Sequence, residues 1–255
     1  MSKTGYYVAY PTSEQLHKEA RLFIQAMLTE RPVSNTALLA QVTILFVNET
    51  IDAYLMDLLK NRELKGVRKR LLETTDSIIK KTAHTVIKQV ARKLDINQQV
   101  KVARRFDSCL IPYLRNNLHD TEFVAYPISE ELHQRIRADQ DSCQTTDLET
   151  SRSVTTEIQK LLFDQMVAEL IEKLLVSLKL STLQHKIVRI ALNKCIGITH
   201  ATYEKLFSNM TEDEINGAII HQQEMLITLT DQQTLETETM DASTCKNNNT
   251  TLIPN

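Results

Sequence analysis

The chain has 255 residues, with 30 basic and 32 acidic side chains, 42% apolar residues and a formal net charge of −2. It contains only 4 Gly and 5 Pro, about a third of their ordinary usage. Tight turns between strands need those residues, so the composition argues against an all-β sandwich and a doubly wound α/β fold. We therefore predict an all-α protein, and the net charge gives no global signal for binding a polyanion.

Helical periodicity predicts four helices in each half of the chain. Those of the N-terminal half span about 13–29, 35–61, 65–94 and 97–112. Those of the C-terminal half span about 130–138, 153–178, 181–208 and 212–227, with a polar linker or loop at 139–153. Residues 228–255 are polar, rich in Thr and Asn, and lack apolar periodicity, which predicts a disordered tail.

An internal repeat is the main feature of the sequence. Residues 7–21 read YVAYPTSEQLHKEAR and residues 123–137 read FVAYPISEELHQRIR, with 9 of 15 positions identical at an offset of 116. Apolar positions downstream match at the same offset. This pattern predicts two helical repeats, 1–120 and 121–227, that pack together as a pseudo-dimer.

The shared motif has a structural interpretation. V-A-Y-P is predicted to be an extended segment that lies over the core, with Tyr10 and Tyr126 as buried anchors. Pro11 and Pro127 set the entry to the following helix, which Ser13 and Ser129 cap. Arg21 and Arg137 complete the motif and could join the glutamate and the histidine before them in an ion-pair stripe.

The histidines of the repeat suggest an alternative. Glu14-x-x-His17 and Glu130-x-x-His133 place a carboxylate and an imidazole on one helix face, a spacing that di-iron bundles use. His84 and His200, also matched by the repeat, would complete two His and one carboxylate per half. A hydrogen-bonded His–Glu–Arg network explains the same residues without metal. We expect no cofactor, and the alternative is a divalent metal such as iron.

A second alternative rests on charge. Residues 60–105 contain 14 basic and four acidic side chains, a difference of +10. This excess predicts either a solvated helix face or a patch for nucleic acid or an acidic protein. The patch residues are Lys65, Arg68, Lys69, Arg70, Lys80, Lys81, Arg92 and Lys93.

Absent motifs weigh against an enzyme. The sequence has no P-loop, no dinucleotide-binding glycine pattern, no H-E-x-x-H and no G-x-S-x-G. Its start lacks the apolar segment of a signal peptide, and its four Cys form no C-x-x-C pair, which predicts a cytoplasmic protein without disulfides. The apolar stretch Ala37–Leu59 carries four polar or acidic groups, which argues against a membrane span. The leading prediction is a non-catalytic interaction or regulatory module with a protein partner and without a membrane partner.

Overall fold

A computed structural model describes residues 4–59, 66–112, 122–143 and 147–230 of the chain. The protein is mostly helical, as predicted, but it also contains a small antiparallel sheet of four strands. The all-α expectation is therefore wrong in this respect. The extended V-A-Y-P segments supply the two central strands, because β-pairing between distant segments satisfies the main-chain groups that a lone extended segment would leave open.

In the N-terminal half, residues 1–120, the described residues form two strands and four α-helices. They are β1 (Thr4–Pro11), α1 (Glu14–Met27), α2 (Thr36–Ile51), α3 (Val67–Ala91), α4 (Ile96–Cys109) and β2 (Leu110–Pro112). A π-helical segment, Asp52–Met56, and a short 3₁₀ turn, Asp57–Leu59, extend α2.

The described part of the C-terminal half, from residue 122 onward, also begins and ends with a strand, but it has one additional short α-helix, Lys173–Leu178. Its elements are β3 (Glu122–Ile128), α5 (Glu130–Cys143), α6 (Leu148–Met166), α7 (Lys173–Leu178), α8 (Thr182–Phe207), α9 (Glu212–Glu224) and β4 (Leu226–Thr230). A second π-helical segment, Val167–Glu172, joins α6 to α7.

The helix boundaries follow local capping signals. Ser13 accepts a hydrogen bond from the backbone N–H of Leu16, and Asp95 and Thr211 each form a capping box at the start of α4 and α9. The predicted linker at 139–153 is wrong over most of its length, because α5 continues to Cys143 and Asp147 caps α6. The predicted tail begins too early, since residues 228–230 belong to β4, and its remainder lies outside the described residues.

The sheet has the order β2-β3-β1-β4, so strands of the two halves alternate across it. At the centre of the sheet Ala9 lies opposite Ala125, and Val8 and Tyr10 lie opposite Tyr126 and Val124. The two outer strand pairs have equivalent registers. Val8 lies opposite Leu226, and Val124, 116 positions after Val8, lies opposite Leu110, 116 positions before Leu226. Each half therefore contributes strands to both sides of the sheet's midline.

The helices pack over one core that both halves share. Helix α1 contacts α2 and α4, while α5 contacts α6 and α9 in the other half. Helices α3 and α8 contact each other, and they also contact α2 and α6 respectively. Phe23 and Leu39 of the N-terminal half lie in the same buried cluster as Leu162 and Phe207 of the C-terminal half.

Helix α2 and its π-helical extension form an apolar segment. Among the described residues, Thr36–Met56 is long and apolar enough to cross a membrane by length and composition, with a mean hydropathy of 1.2. In the structure its side chains Leu39, Val42 and Phe46 are buried in the core. A helix that packs in a protein core can pass the same test of length and composition.

Candidate functional site

The two motif tyrosines are buried anchors, and their hydroxyl groups have partners. The hydroxyl of Tyr10 lies 2.6 Å from that of Thr50 on α2. The hydroxyl of Tyr126 bonds that of Tyr54, in the first π-helical segment. Burial raises the pKa of both tyrosines well above the ordinary value, so both stay protonated and act as structural hydrogen-bonding groups.

The remaining motif residues shape the ends of the strands and helices. The Oγ atoms of Ser13 and Ser129 accept hydrogen bonds of 3.1 Å from the N–H groups three residues later. Pro11 and Pro127 are exposed at the ends of their strands. Arg21 lies 4.0 Å from Asp107, and Arg137 is exposed.

Glu49 adds a contact that the sequence did not suggest. Its carboxylate accepts hydrogen bonds from the backbone N–H of Ser13, at 2.8 Å, and from the Ser13 hydroxyl, at 2.5 Å. A carboxylate at this position also lies near the positive end of the α1 dipole. The motif serine and Glu49 therefore fix α1 against α2.

His84 and His200 bond to matched positions on their neighbouring helices. The Nε2 atom of His84 lies 2.7 Å from the side-chain oxygen of Asn48, and that of His200 lies 2.9 Å from a carboxylate oxygen of Asp164. Burial, followed by Lys88 and Lys80, lowers the pKa of His84. The first bond joins α3 to α2, and the second joins α8 to α6.

The predicted metal ligands are not gathered into one site. His17 is half-buried on α1, His133 is buried on α5, and Glu14 and Glu130 are exposed. In the part of the chain that the structure describes, no group of three or more His, Cys, Asp or Glu side chains is placed to hold a metal ion. The structure therefore does not bring His84 together with the Glu14 pair, or His200 with the Glu130 pair, as a three-ligand centre.

The predicted basic patch is spread along α3 and just past its end, and part of its charge is neutralised. Arg68 bonds Glu214 at 2.6 Å, and Lys80 bonds Asp52 at 2.6 Å and Asp76 at 2.8 Å. Lys69 lies 3.8 Å from Glu73. Arg70, Lys81, Arg92 and Lys93 are exposed, and Lys65 lies outside the described residues.

An apolar pocket between the two halves is a feature that the sequence did not predict. Its volume is about 210 Å³. Protein interiors contain few voids larger than a water molecule, and an engineered cavity of about 150 Å³ accepts benzene. Its walls come from α2, α3, α4, α6, the second π-helical segment, α7 and α8, and include Leu39, Phe46, Ile79, Val86, Val90, Phe106, Met166, Leu170, Leu174, Leu192 and Ile196.

The few polar residues of the pocket direct their polar atoms elsewhere. The hydroxyl groups of Thr43 and Thr50 donate to backbone carbonyls one turn earlier, each at 2.7 Å. The guanidinium of Arg105 donates to the carbonyl of Glu169. These residues therefore present mainly their carbon atoms to the pocket, which suits an uncharged apolar molecule.

Two cysteines also line the pocket. Burial raises the pKa of the Cys109 thiol to about 12, and it also raises the pKa of the half-buried Cys195. A thiol with a raised pKa is a poor nucleophile at neutral pH. The two cysteines therefore serve as part of the apolar wall.

Side chains of each half bond to main-chain carbonyls in the π-helical segment of the other half. Arg105 of α4 donates to the carbonyl of Glu169, and the Nε2 atom of His221, on α9, lies 3.2 Å from the carbonyl oxygen of Ala53. Residues 105 and 221, and residues 53 and 169, are each separated by 116 positions. The two contacts are therefore reciprocal. The bond from Arg105 holds the second π-helical segment, which lines the pocket, and the contact of His221 holds the first, which contains Tyr54.

Comparisons with protein-family models, with curated protein sequences and with solved structures found no match to this chain. The assignment of a site rests on geometry. Sequence analysis identified the motif residues and the matched histidines, but it missed the pocket, because no single segment carries more than one wall of it.

Proposed function

We propose that this protein is a non-catalytic binding protein that takes a small, uncharged apolar molecule in the pocket between its two halves. The pocket's volume of about 210 Å³ and its hydrocarbon walls carry the proposal. Such a space suits a molecule somewhat larger than benzene, such as a two-ring aromatic or a short branched hydrocarbon. Catalysis needs a positioned acid, base or nucleophile, and the described walls offer none with a suitable pKa.

We also infer that the two halves arose by internal duplication and now pack as a pseudo-dimer. Three observations support this inference: a strand at each end of both halves, the pairing of Ala9 with Ala125, and the reciprocal bonds of Arg105 and His221. In an isologous interface, residue i contacts j and the equivalent of j contacts the equivalent of i. The strand register and both carbonyl contacts follow this rule at an offset of 116.

The position of the pocket gives ligand binding a regulatory consequence. Its walls include α2, α3 and α4 of one half and α6, α7 and α8 of the other. A molecule that fills it contacts both halves and strengthens their association. Filling the whole space with apolar atoms would contribute up to about 5 kcal/mol, from about 24 cal/mol per Å³. We expect a partner to sense the ligand through this change in rigidity.

A thermal-unfolding experiment tests the proposed pocket. Naphthalene should raise the unfolding temperature in proportion to the logarithm of its concentration, whereas its charged analogue naphthalene-1-sulfonate should not, because the pocket cannot solvate a charge. The key variant is Ala191→Phe, which places a ring in the pocket and should abolish the naphthalene shift.

The matched control is Ala201→Phe, on the exposed face of the same helix. This variant should keep the naphthalene shift of the parent protein. The proposal fails if Ala191→Phe is folded and still responds to naphthalene, or if the parent protein responds equally to both compounds.

A further inference from the structure

A row of exposed aliphatic side chains follows α7 and the first half of α8. The exposed fractions are 75% for Val176, 64% for Leu183, 36% for Ile187 and 60% for Ile190. Positions 183, 187 and 190 lie on one face of α8, because a helix turns by about 100° per residue. By the same geometry, the exposed Lys186 and Lys194 lie on that face as well.

Helix α3 brings further basic residues to this end of the molecule. The hydroxyl groups of Thr75 and Thr202 are 2.8 Å apart, and Arg68 donates to the carbonyl of Asn209, so α3 and α8 run antiparallel. Continued along both helices, this alignment brings Arg92, at the end of α3, level with the first turn of α8. We name the combined surface the α3–α8 end face, which consists of Lys88, Arg92, Lys93, Val176, Lys179, Leu183, Lys186, Ile187, Ile190 and Lys194.

The charge of this end face is one-sided. Residues 88–101 and 172–190 together contain eight basic and two acidic side chains. Both acidic groups are engaged, since Asp95 caps α4 and Glu172 pairs with Arg189. Among the described residues, no acidic side chain pairs with the six basic residues of the end face. The whole chain has a net charge of −2, so this positive charge is local.

We propose that the α3–α8 end face docks on the surface of an anionic lipid bilayer. Basic residues beside a membrane are attracted to anionic headgroups, and exposed aliphatic side chains between them enter the boundary between headgroups and acyl chains. Binding to a nucleic acid would not favourably bury the four exposed aliphatic side chains. A protein interface favours aromatic residues and Arg and is depleted in Lys, whereas five of the six basic residues here are Lys.

The opposite sides of the same helices line the apolar pocket. Val90 and Leu94, near the end of α3, and Val188 of α8 belong to its walls. Docking would therefore place the pocket a single helix layer from a source of apolar molecules. The proposal goes beyond the proposed function, because docking does not require the pocket to be filled.

Co-sedimentation of the full chain with lipid vesicles tests the docking. The protein should bind vesicles of phosphatidylcholine mixed with phosphatidylglycerol, and it should bind vesicles of phosphatidylcholine alone much more weakly. The double variant Arg92→Glu with Lys93→Glu should weaken binding at least about 30-fold, since two attractive charges are lost. The double variant Leu183→Ser with Ile190→Ser keeps every charge and should also weaken binding, because it removes the apolar contact.

The matched control is Lys69→Glu with Arg70→Glu, at the opposite end of α3. It changes the net charge equally and should keep most of the binding. Equal losses in the control, no effect of the serine variant, or tighter binding to duplex DNA than to the vesicles would each overturn the proposal. Two further measurements separate failure of docking from failure of the pocket. The Arg92→Glu with Lys93→Glu variant should still bind naphthalene, and Ala191→Phe should still bind vesicles.

Discussion

At the scale of single residues, His133 of the shared motif packs against an aromatic ring. Its ring packs on that of Tyr6, with 4.3 Å between the ring centres and an angle of 30° between the planes. Its Nε2 atom is buried without a hydrogen-bond partner in the described structure. Burial, and then Arg137, lower the pKa of His133, while Glu130 acts in the opposite direction.

This environment predicts that the protein loses stability on mild acidification. Because the pKa is lower in the folded state, the unfolded chain takes up the proton first as the pH falls below about 6.5, and the contribution of neutral His133 is then lost. His84 acts with the same sign, since its pKa is also lowered. The free energy of unfolding in urea should therefore be smaller at about pH 5.5 than at about pH 7.5, and His133→Gln should reduce this difference.

His185→Gln provides the control for this measurement, because His185 is exposed at the start of α8 and packs on no aromatic ring in the described structure. It should keep the decrease seen in the parent protein. A decrease in His133→Gln as large as that of the parent protein would show that charging of His133 does not limit stability at low pH.

At the scale of secondary-structure elements, the two π-helical segments lie where the halves meet. Such segments are rare and are frequent at functional sites. The carbonyl of Tyr54 in the first segment accepts a hydrogen bond of 2.9 Å from the hydroxyl of Tyr203 and one of 3.4 Å from the side-chain amide of Gln159. Side chains of the C-terminal half thus satisfy main-chain groups in the N-terminal half.

The variant Tyr203→Phe tests the value of this contact. It keeps the buried ring but removes the donor to the Tyr54 carbonyl, and a buried acceptor with a weaker set of partners costs about 1–2 kcal/mol. Urea unfolding should show a decrease of this size. Tyr7→Phe, on β1, removes no donor to the Tyr54 carbonyl and should change the free energy of unfolding by less than about 0.5 kcal/mol. Equal decreases in both variants would assign the effect to a general loss of tyrosine hydroxyls.

At the scale of the whole molecule, the sheet interleaves the two halves. Strand β1 lies between β3 and β4 of the other half, and β3 lies between β1 and β2. The halves cannot separate without breaking all three strand pairs of the sheet. The shared buried cluster acts in the same direction, because it spans both halves. We therefore expect the described structure to unfold as one cooperative unit.

Hydrogen exchange measured by mass spectrometry tests this cooperativity. Leu16→Ala, at a fully buried position of α1, should lower the free energy of unfolding by about 2–5 kcal/mol. The slowest amides of α8, in the other half, should lose as much protection as those of α1. Leu22→Ala, at an exposed position of the same helix, should have little effect in either half. Unchanged protection in α8 would indicate halves that unfold independently.

Local signals in the sequence determined most of the helices. Ser13, Asp95 and Thr211 cap helices through contacts with residues three positions later, so a short window of sequence contains the relevant information. The V-A-Y-P segments were predicted to be extended, and they are strands. The predicted repeat paired His84 with His200, and their polar partners Asn48 and Asp164 are separated by the same 116 positions.

Only the tertiary structure decided how these elements combine. The pairing of Ala9 with Ala125 and the alternation of strands depend on contacts between residues more than 100 positions apart, which no local propensity encodes. The partner of His84 also depends on tertiary contacts. Its ring bonds Asn48 on α2, and the described structure does not gather it into a three-ligand centre. The pocket is a space left between seven packed elements. Such a space depends on the packing geometry of all of them, and no single segment of sequence encodes it.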